Sequence, residues 1–301
     1  MVFLDWEKAF DKVDQAELIK AIRRLNVPEK ICRILETFYI NPQFAIRDSE
    51  GKSGYRKQRT GIRQGCPLSP YLFVLLMTVM FNDIHNELDS KIIAGKLDHF
   101  RYHEILYADD TLIIGKRARE VNMIIKAIEK ESAKYNMKLN KGKCNHIDMN
   151  CKADVKFEGG AKLDKLDKAV YLGGTITEKA LKTAEIQTRL GKAMTTAFRL
   201  KEFWKGCNAP RKWKLQVYNA IIISQLIYGL NTIHLTNSCL KTLDTFQLRG
   251  LRQILGIKAA FHSRISHDKV MEKANIIMNN GEDLDINWEQ FKTEKPEQKK
   301  E

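Results

Sequence analysis

The chain has 301 residues, with 51 Lys or Arg against 37 Asp or Glu, a net charge of +14 at neutral pH. An apolar fraction of 44% excludes wholesale disorder, and a chain this long buries enough surface to hold a core without disulfide or metal staples. The length allows one large domain or two, and the basic excess points to a polyanionic partner, either nucleic acid or an acidic membrane face.

Residues 2–5 read as an apolar strand running into Asp5. Phe10, Val13, Leu18, Ile19 and Ile22 predict a helix over Lys8–Leu25, broken at Asn26-Val27-Pro28. Pro28 opens a second helix through Ile31, Ile34 and Phe38. From Pro42 to Gly65 short β pieces are expected around Phe44-Ala45-Ile46 and Gly54-Tyr55, with a turn at Ser49-Glu50-Gly51. Ser69 is expected to cap an apolar helix with Pro70 in its first turn, ending near Leu88. Strands over Phe100–Leu106 and Thr111–Ile114 flank Asp109-Asp110. A helix over Ala118–Tyr135, a strand over Cys144–Met149 and a hairpin around Tyr171–Gly174 follow. Past Glu178 the pattern becomes long helices with breaks at Gly206–Pro210 and Thr236-Asn237. A domain boundary is placed near 179, and residues 282–301, with seven acids and four lysines, read as a frayed tail.

The opening segment acquires charge at once, at Asp5 and Glu7, unlike a signal peptide. The longest apolar run, Tyr71–Phe81, is too short to span a bilayer. The six cysteines form no C-x-x-C and no zinc-finger spacing, as expected for reduced thiols in an intracellular protein with no membrane partner. Residues 181–260 hold 13 basic and 3 acidic residues, a net of +10 that concentrates most of the excess in one stretch. Within it Ile186, Leu190, Ala193, Ala197, Leu200 and Trp204 share one stripe at about 100° per residue, and Lys182, Arg189, Lys192 and Arg199 fall on an adjoining one. A helix packed by one face and basic on its flank can track a duplex backbone without reading sequence.

Three carboxylates carry the chemistry: Asp5 at a strand end, and Asp109 and Asp110 at the turn of a hairpin. Acids on two adjacent strands can hold two divalent cations about 4 Å apart, an arrangement that suits Mg²⁺ and phosphoryl transfer. Adjacent acids in a solvated turn are the plain alternative.

The motif set resembles reverse transcriptases of non-LTR (LINE-type) retrotransposons. Leu4-Asp5-Trp6-Glu7-Lys8-Ala9-Phe10-Asp11 resembles motif A, Arg63-Gln64-Gly65-Cys66-Pro67-Leu68-Ser69-Pro70 motif B, and Tyr107-Ala108-Asp109-Asp110 motif C. Leu139-Asn140-Lys141-Gly142-Lys143-Cys144 is similar to motif D, with Cys where the family usually has Thr, and Tyr171-Leu172-Gly173 to motif E. Leu226-Ile227-Tyr228-Gly229 and Leu251-Arg252-Gln253-Ile254-Leu255-Gly256 resemble the family's thumb-like segment.

The resemblance implies an α+β fold: a polymerase-type palm over residues 1–178, an antiparallel sheet with packed helices, followed by an all-helical thumb-like domain over 179–281. It implies two Mg²⁺ ions, or Mn²⁺, on Asp5, Asp109, Asp110 and the Trp6 carbonyl, with Lys143 as the proton donor to pyrophosphate. Phe10, Arg63, Gln64 and Gly65 would meet the nucleotide, Phe10 as a steric gate. Tyr171, Leu172 and Gly173, with Lys182, Arg189, Lys192 and Arg199, would meet primer and template. Partners would be an RNA template, a DNA primer, their duplex and deoxynucleoside triphosphates, in the nucleus for target-primed synthesis and otherwise in the cytoplasm. Family members carry fingers ahead of motif A. With Met1 four residues before Asp5, the expectation is a chain that lacks them, binds duplex and extends poorly. Two other readings stay open: a non-catalytic nucleic-acid-binding remnant, and a maturase-type polymerase of a group II intron.

Overall fold

A computed structural model describes residues 1–88, 103–149, 152, 154–178, 182–230 and 235–278, the side chains of 182–184 aside. The chain divides into two compact units, Met1–Lys168 and a second beginning at Ala169. The division precedes the boundary expected near 179, so the hairpin around Leu172 groups with the helices after it. The charged tail, 282–301, lies outside the described residues.

In the first unit β1 (Val2–Leu4) leads through α1 (Ala9–Lys12), α2 (Gln15–Arg24) and α3 (Glu29–Tyr39) to a hairpin, β2 (Gln43–Phe44) and β3 (Arg56–Lys57). The long helix α4 (Ser69–Glu87), β4 (Glu104–Tyr107), β5 (Asp110–Ile113), α5 (Ala118–Lys134), β6 (Asn145–His146) and β7 (Asp164–Lys165) complete it. Five strands form one sheet in the order β4-β5-β1-β6-β7, antiparallel except for β6 with β7. Val2, Phe3 and Leu4 of the central strand β1 are all buried, so both of its faces are covered, which accounts for its unbroken apolar run. α4 packs against α2 and α5. Phe73, Leu76, Met80 and Ile84 of α4 pack in one core with Leu18 and Ile22 of α2 and Ile124, Ile125 and Ile128 of α5. Each such side chain contributes about 1.5–3 kcal/mol by leaving water.

Two local expectations are corrected. The helix expected over Lys8–Leu25 is two helices, because Asp14 takes an extended conformation and its carboxylate accepts from the N–H groups of Ala16 and Glu17. Ser69 is the first residue of α4 rather than its cap; Leu68 precedes the helix, and the Ser69 hydroxyl turns back to the Arg63 carbonyl.

The second unit begins one residue into a hairpin, β8 (Lys168–Tyr171) and β9 (Gly174–Thr177). It continues through α6 (Lys182–Arg199), α7 (Lys201–Lys205), α8 (Arg211–Val217), a π-helical turn (Tyr218–Ile223) and α9 (Ser224–Ile227). α10 (Asn237–Leu255), α11 (Ala260–Ser263) and α12 (His267–Met278) follow. Thr236 caps α10 through the Cys239 N–H, at the expected break. The apolar stripe of α6 faces this unit's core, with Ile186 and Ala193 fully buried and Leu190, Ala197 and Leu200 packed beside them. Gly250 lets α10 close on Tyr218: a Cβ there would lie 2.3 Å from the tyrosine hydroxyl. Among the described residues no helix is long and apolar enough to cross a membrane.

Candidate active site

The β1–β5 ladder pairs Val2 with Ile113, Phe3 with Leu112 and Leu4 with Thr111. One more step of that register brings Asp5 opposite Asp110. Asp109 sits in the two-residue turn between β4 and β5, where Tyr107 pairs with Asp110. The preceding residue, Ala108, is held at φ 52°, a left-handed conformation costly for a residue with a Cβ. Lys8 at φ 50° and Leu172 at φ 48° share it, so the turns of motifs A, C and E each store backbone strain.

Trp6 follows as an isolated bridge to Leu139. Both hydrogen bonds of the bridge belong to flanking residues: the Glu7 N–H donates to the Lys138 carbonyl, and the Asn140 N–H to that of Asp5. The Trp6 carbonyl therefore points away from Leu139, toward the side of the sheet that holds β5. Its indole is buried, and Nε1 donates to Thr111 Oγ1 at 3.0 Å, tying motif A to the motif C strand.

The electrostatics are those of crowded acids. Partial burial, then the charges of Asp109 and Asp5, raise Asp110 above the usual carboxylate range. The Lys143 ammonium lies 3.9 Å from Asp5 Oδ2, an exposed pair that neutralises little. Beneath, the buried Cys144 thiol accepts from the Asp5 N–H at 3.4 Å and donates to the Asp5 carbonyl at 3.7 Å. Burial pushes this thiol up to about 11, so it stays protonated at neutral pH and can do both. The strand expected over Cys144–Met149 is shorter, Asn145–His146, and Cys144 stands just ahead of it.

Among the described residues no three His, Cys, Asp or Glu side chains form a ready metal-ligand group, so the carboxylates are neighbours rather than a closed set. Their chemistry nonetheless fits a hard divalent cation: oxygen donors, partly exposed, with negative charge left over that raises Asp110.

Motif B is laced to motif A. The Gly61 and Ile62 N–H groups donate to the carbonyls of Val13 and Phe10, both at 2.7 Å. Only glycine fits at 61, where φ is 88° and a Cβ would lie 2.7 Å from the Asp11 carbonyl oxygen. Gln64 Nε2 donates to Asp11 Oδ1 at 2.9 Å. Phe10 stacks on Phe73, ring centroids 4.5 Å apart, and its ring lines a pocket of about 460 Å³ with Gln64, Gly65, Cys66 and Pro70. Gly65 serves a φ of 83° rather than a close approach within the chain, since nothing lies within 4 Å of where its Cβ would stand. Arg63 does not join this pocket; it lines a neighbouring groove of about 730 Å³ with Asp11, Lys57 and Arg59.

In the second unit the tip of the Tyr171-Leu172-Gly173 hairpin is braced. Tyr228 Oη donates to the Leu172 carbonyl at 3.0 Å and Arg189 Nη2 to that of Gly173 at 2.6 Å. The Arg189 guanidinium also stacks 4.9 Å from the Tyr228 ring centre and pairs with Glu185 at 2.5 Å. Arg189 is therefore corrected: it is buried, its charge is met by Glu185, and it cannot lie along a duplex backbone. Lys192 and Arg199 are exposed and make no ion pair among the described residues. The Lys182 side chain lies outside them.

Sequence reasoning did not single out Thr111, Asp11, Arg252 or the strap from Cys144 to Asp5. Arg252 is buried and holds the turn after α10 through the carbonyls of Lys258 and Ile265. Bonds between residues distant in the chain leave no periodic trace; for the strap, the departure from Thr at Cys144 was the one available signal.

Residues 1–176 match the family model described as reverse transcriptase (RNA-dependent DNA polymerase). The chain is 23% identical over 277 residues to a retrovirus-related Pol polyprotein from the type-1 retrotransposable element R2 of Popillia japonica, covering 90% of this chain and 45% of that protein. It is 23% identical over 248 residues to the transposon TX1 uncharacterized 149 kDa protein of Xenopus laevis, covering 75% and 17%. The chain thus spans less than half the length of these relatives. Among solved structures, apo telomerase from Candida tropicalis aligns with a TM-score of 0.45 at 13% identity, over 92% of this chain and 45% of that one.

Proposed function

The chain belongs to the reverse transcriptase (RNA-dependent DNA polymerase) family, and from that premise we propose that it is the polymerase portion of a non-LTR retrotransposon protein, extending a DNA primer on an RNA template. The observation that carries this reading is the strand register that sets Asp5 opposite Asp110 with Asp109 at the adjoining turn. Asp5, Asp109, Asp110 and the Trp6 carbonyl would hold two Mg²⁺ ions, which supply the charge that activates a primer 3′-hydroxyl and steadies departing pyrophosphate.

The chain's own groups do the rest. Lys143, beside Asp5, is placed to give a proton to the leaving pyrophosphate. Phe10, fixed by its stack on Phe73, closes the side of the pocket where a 2′-hydroxyl would collide with the ring. Gln64 and Gly65 line the same pocket, so the deoxynucleoside triphosphate would lie across motif B. The hairpin tip at Leu172 and Gly173 steadies the primer end, and Lys192 and Arg199 meet the duplex backbone. Synthesis primed by a nick in target DNA would place the protein in the nucleus.

The test is primer extension on an RNA template with Mg²⁺, using the full chain and Asp109→Ala. Incorporation that vanishes in the variant supports the reading; incorporation equal in both would overturn the assignment of the carboxylates.

A further inference from the structure

A groove of about 780 Å³ in the second unit lies between α6, α7 and α10. Its trough is apolar. Leu190, Ala197 and Phe246 are partly buried along it, while Met194 and Phe198 remain 56% and 73% exposed. Each wall adds two cations: Lys201 and Lys205 from α7, Lys241 and Arg249 from α10. No carboxylate lines the groove, and none of the four cations is in an ion pair among the described residues. At its base the Tyr218 hydroxyl is buried without a hydrogen-bond partner among the described residues. Along α10 the lining runs from Ser238 to Gln253, roughly 22 Å at 1.5 Å per residue.

We propose that this groove docks an acidic amphipathic helix of a partner protein. An apolar seam flanked on both sides by like charges is the complement of a helix whose apolar ridge is bordered by Asp and Glu. The length accommodates about four helical turns. Exposed Met and Phe over an apolar trough are the usual anchors of protein recognition. A nucleic-acid strand fits less well: bases need flat aromatic platforms, and of the rings that line the groove only Phe198 stands free, since Phe246 is partly buried and Tyr218 buried. The inference is independent of the polymerase reading, since none of its residues is placed in that chemistry.

The test measures binding of a fluorescent designed peptide of about sixteen residues to the full chain, with leucines at i, i+4, i+7 and i+11 and glutamates on both flanks. Saturable binding is expected, weakened about tenfold or more by Met194→Ser with Phe198→Ser and, separately, by Lys201→Glu with Lys205→Glu. A scrambled peptide of the same composition should not bind. All four replaced residues lie on the groove surface, and a melting curve for each double variant confirms that it is folded. Equal binding of the scrambled peptide would reduce the site to charge alone and overturn the proposal. So would an oligouridine RNA that displaces the peptide and is itself weakened by Phe198→Ser. Peptide affinity that rises when Leu284, Trp288 and Phe291 are all changed to Ser would make the chain's own acidic segment the occupant, and the partner assignment would be wrong.

Discussion

Two acidic neighbourhoods in this molecule obey the same electrostatics and end in opposite states. In the first unit Asp110 faces Asp109 and Asp5, the nearest cation pairs loosely and exposed, and its carboxyl is pushed up by burial and by those charges. In the second unit burial works to raise Glu185, yet hydrogen bonds from the Thr175 N–H and Arg189 outweigh it and hold the carboxyl low. The difference separates charge left uncompensated from charge spent on the fold. Uncompensated acids at a strained turn cost stability and remain open to a cation; a buried, fully bonded pair locks the hairpin tip and has nothing left to offer.

The comparison breaks most visibly by substitution. Asp5→Asn should reduce primer extension by about 10²–10³-fold, as loss of a charge-stabilising group typically does, while leaving the melting temperature unchanged or raised. Arg189→Ala should do the reverse of a surface change: about 3–5 kcal/mol lost from the second unit in denaturant unfolding, because Glu185 is left buried and unpaired. Lys143→Ala, removing an exposed pair, should shift stability by less than about 1 kcal/mol and show itself in extension rate instead.

The acids also give opposite pH signs. Glu185 is held below its ordinary 4.5, so the stability it contributes is present above pH 4.5 and lost as pH falls through its folded value. Asp110 is held above its ordinary 3.8, so its contribution is present below pH 3.8 and lost as pH rises through its folded value. Acid titration of the second unit should therefore flatten in Glu185→Gln, and Asp110→Asn should stabilise the first unit at neutral pH. The smallest effect concerns the basic flank. With Arg189 buried, neutralising Lys192 and Arg199 should lower the log–log salt slope of duplex binding by about two units, and adding Arg189→Gln should lower it no further.

How much of this was legible beforehand depended on whether the signal was local. The end of β1 at Asp5 and the hairpin turn at Asp109 were readable because apolar runs stop at the carboxylates, and the motif order joined them into one site. The break between α1 and α2 was also written, since Asp14 stands three residues before Glu17 in the pattern of an N-cap; the apolar spacing across Val13 masked it. Arg189 was misplaced for a physical reason. Its angle on α6 puts it beside Lys192 and Arg199, but burial depends on the hairpin that closes over it, and the i, i+4 partner Glu185 was the available warning. The strap from Cys144 to Asp5 joins residues 139 apart in sequence and left no periodic signature, only a Cys where the resembling family usually has Thr.

The most direct measurement is Mn²⁺ binding to the full chain, followed by paramagnetic relaxation of water, in wild type and in Asp109→Asn. It reports on the carboxylates without requiring turnover, template or primer. The account predicts saturable binding that falls about tenfold or more in Asp109→Asn and similarly in Asp5→Asn, with Mg²⁺ competing. Affinity unchanged by either substitution would contradict it, and the acids at the end of β1 and β5 would then be a solvated turn.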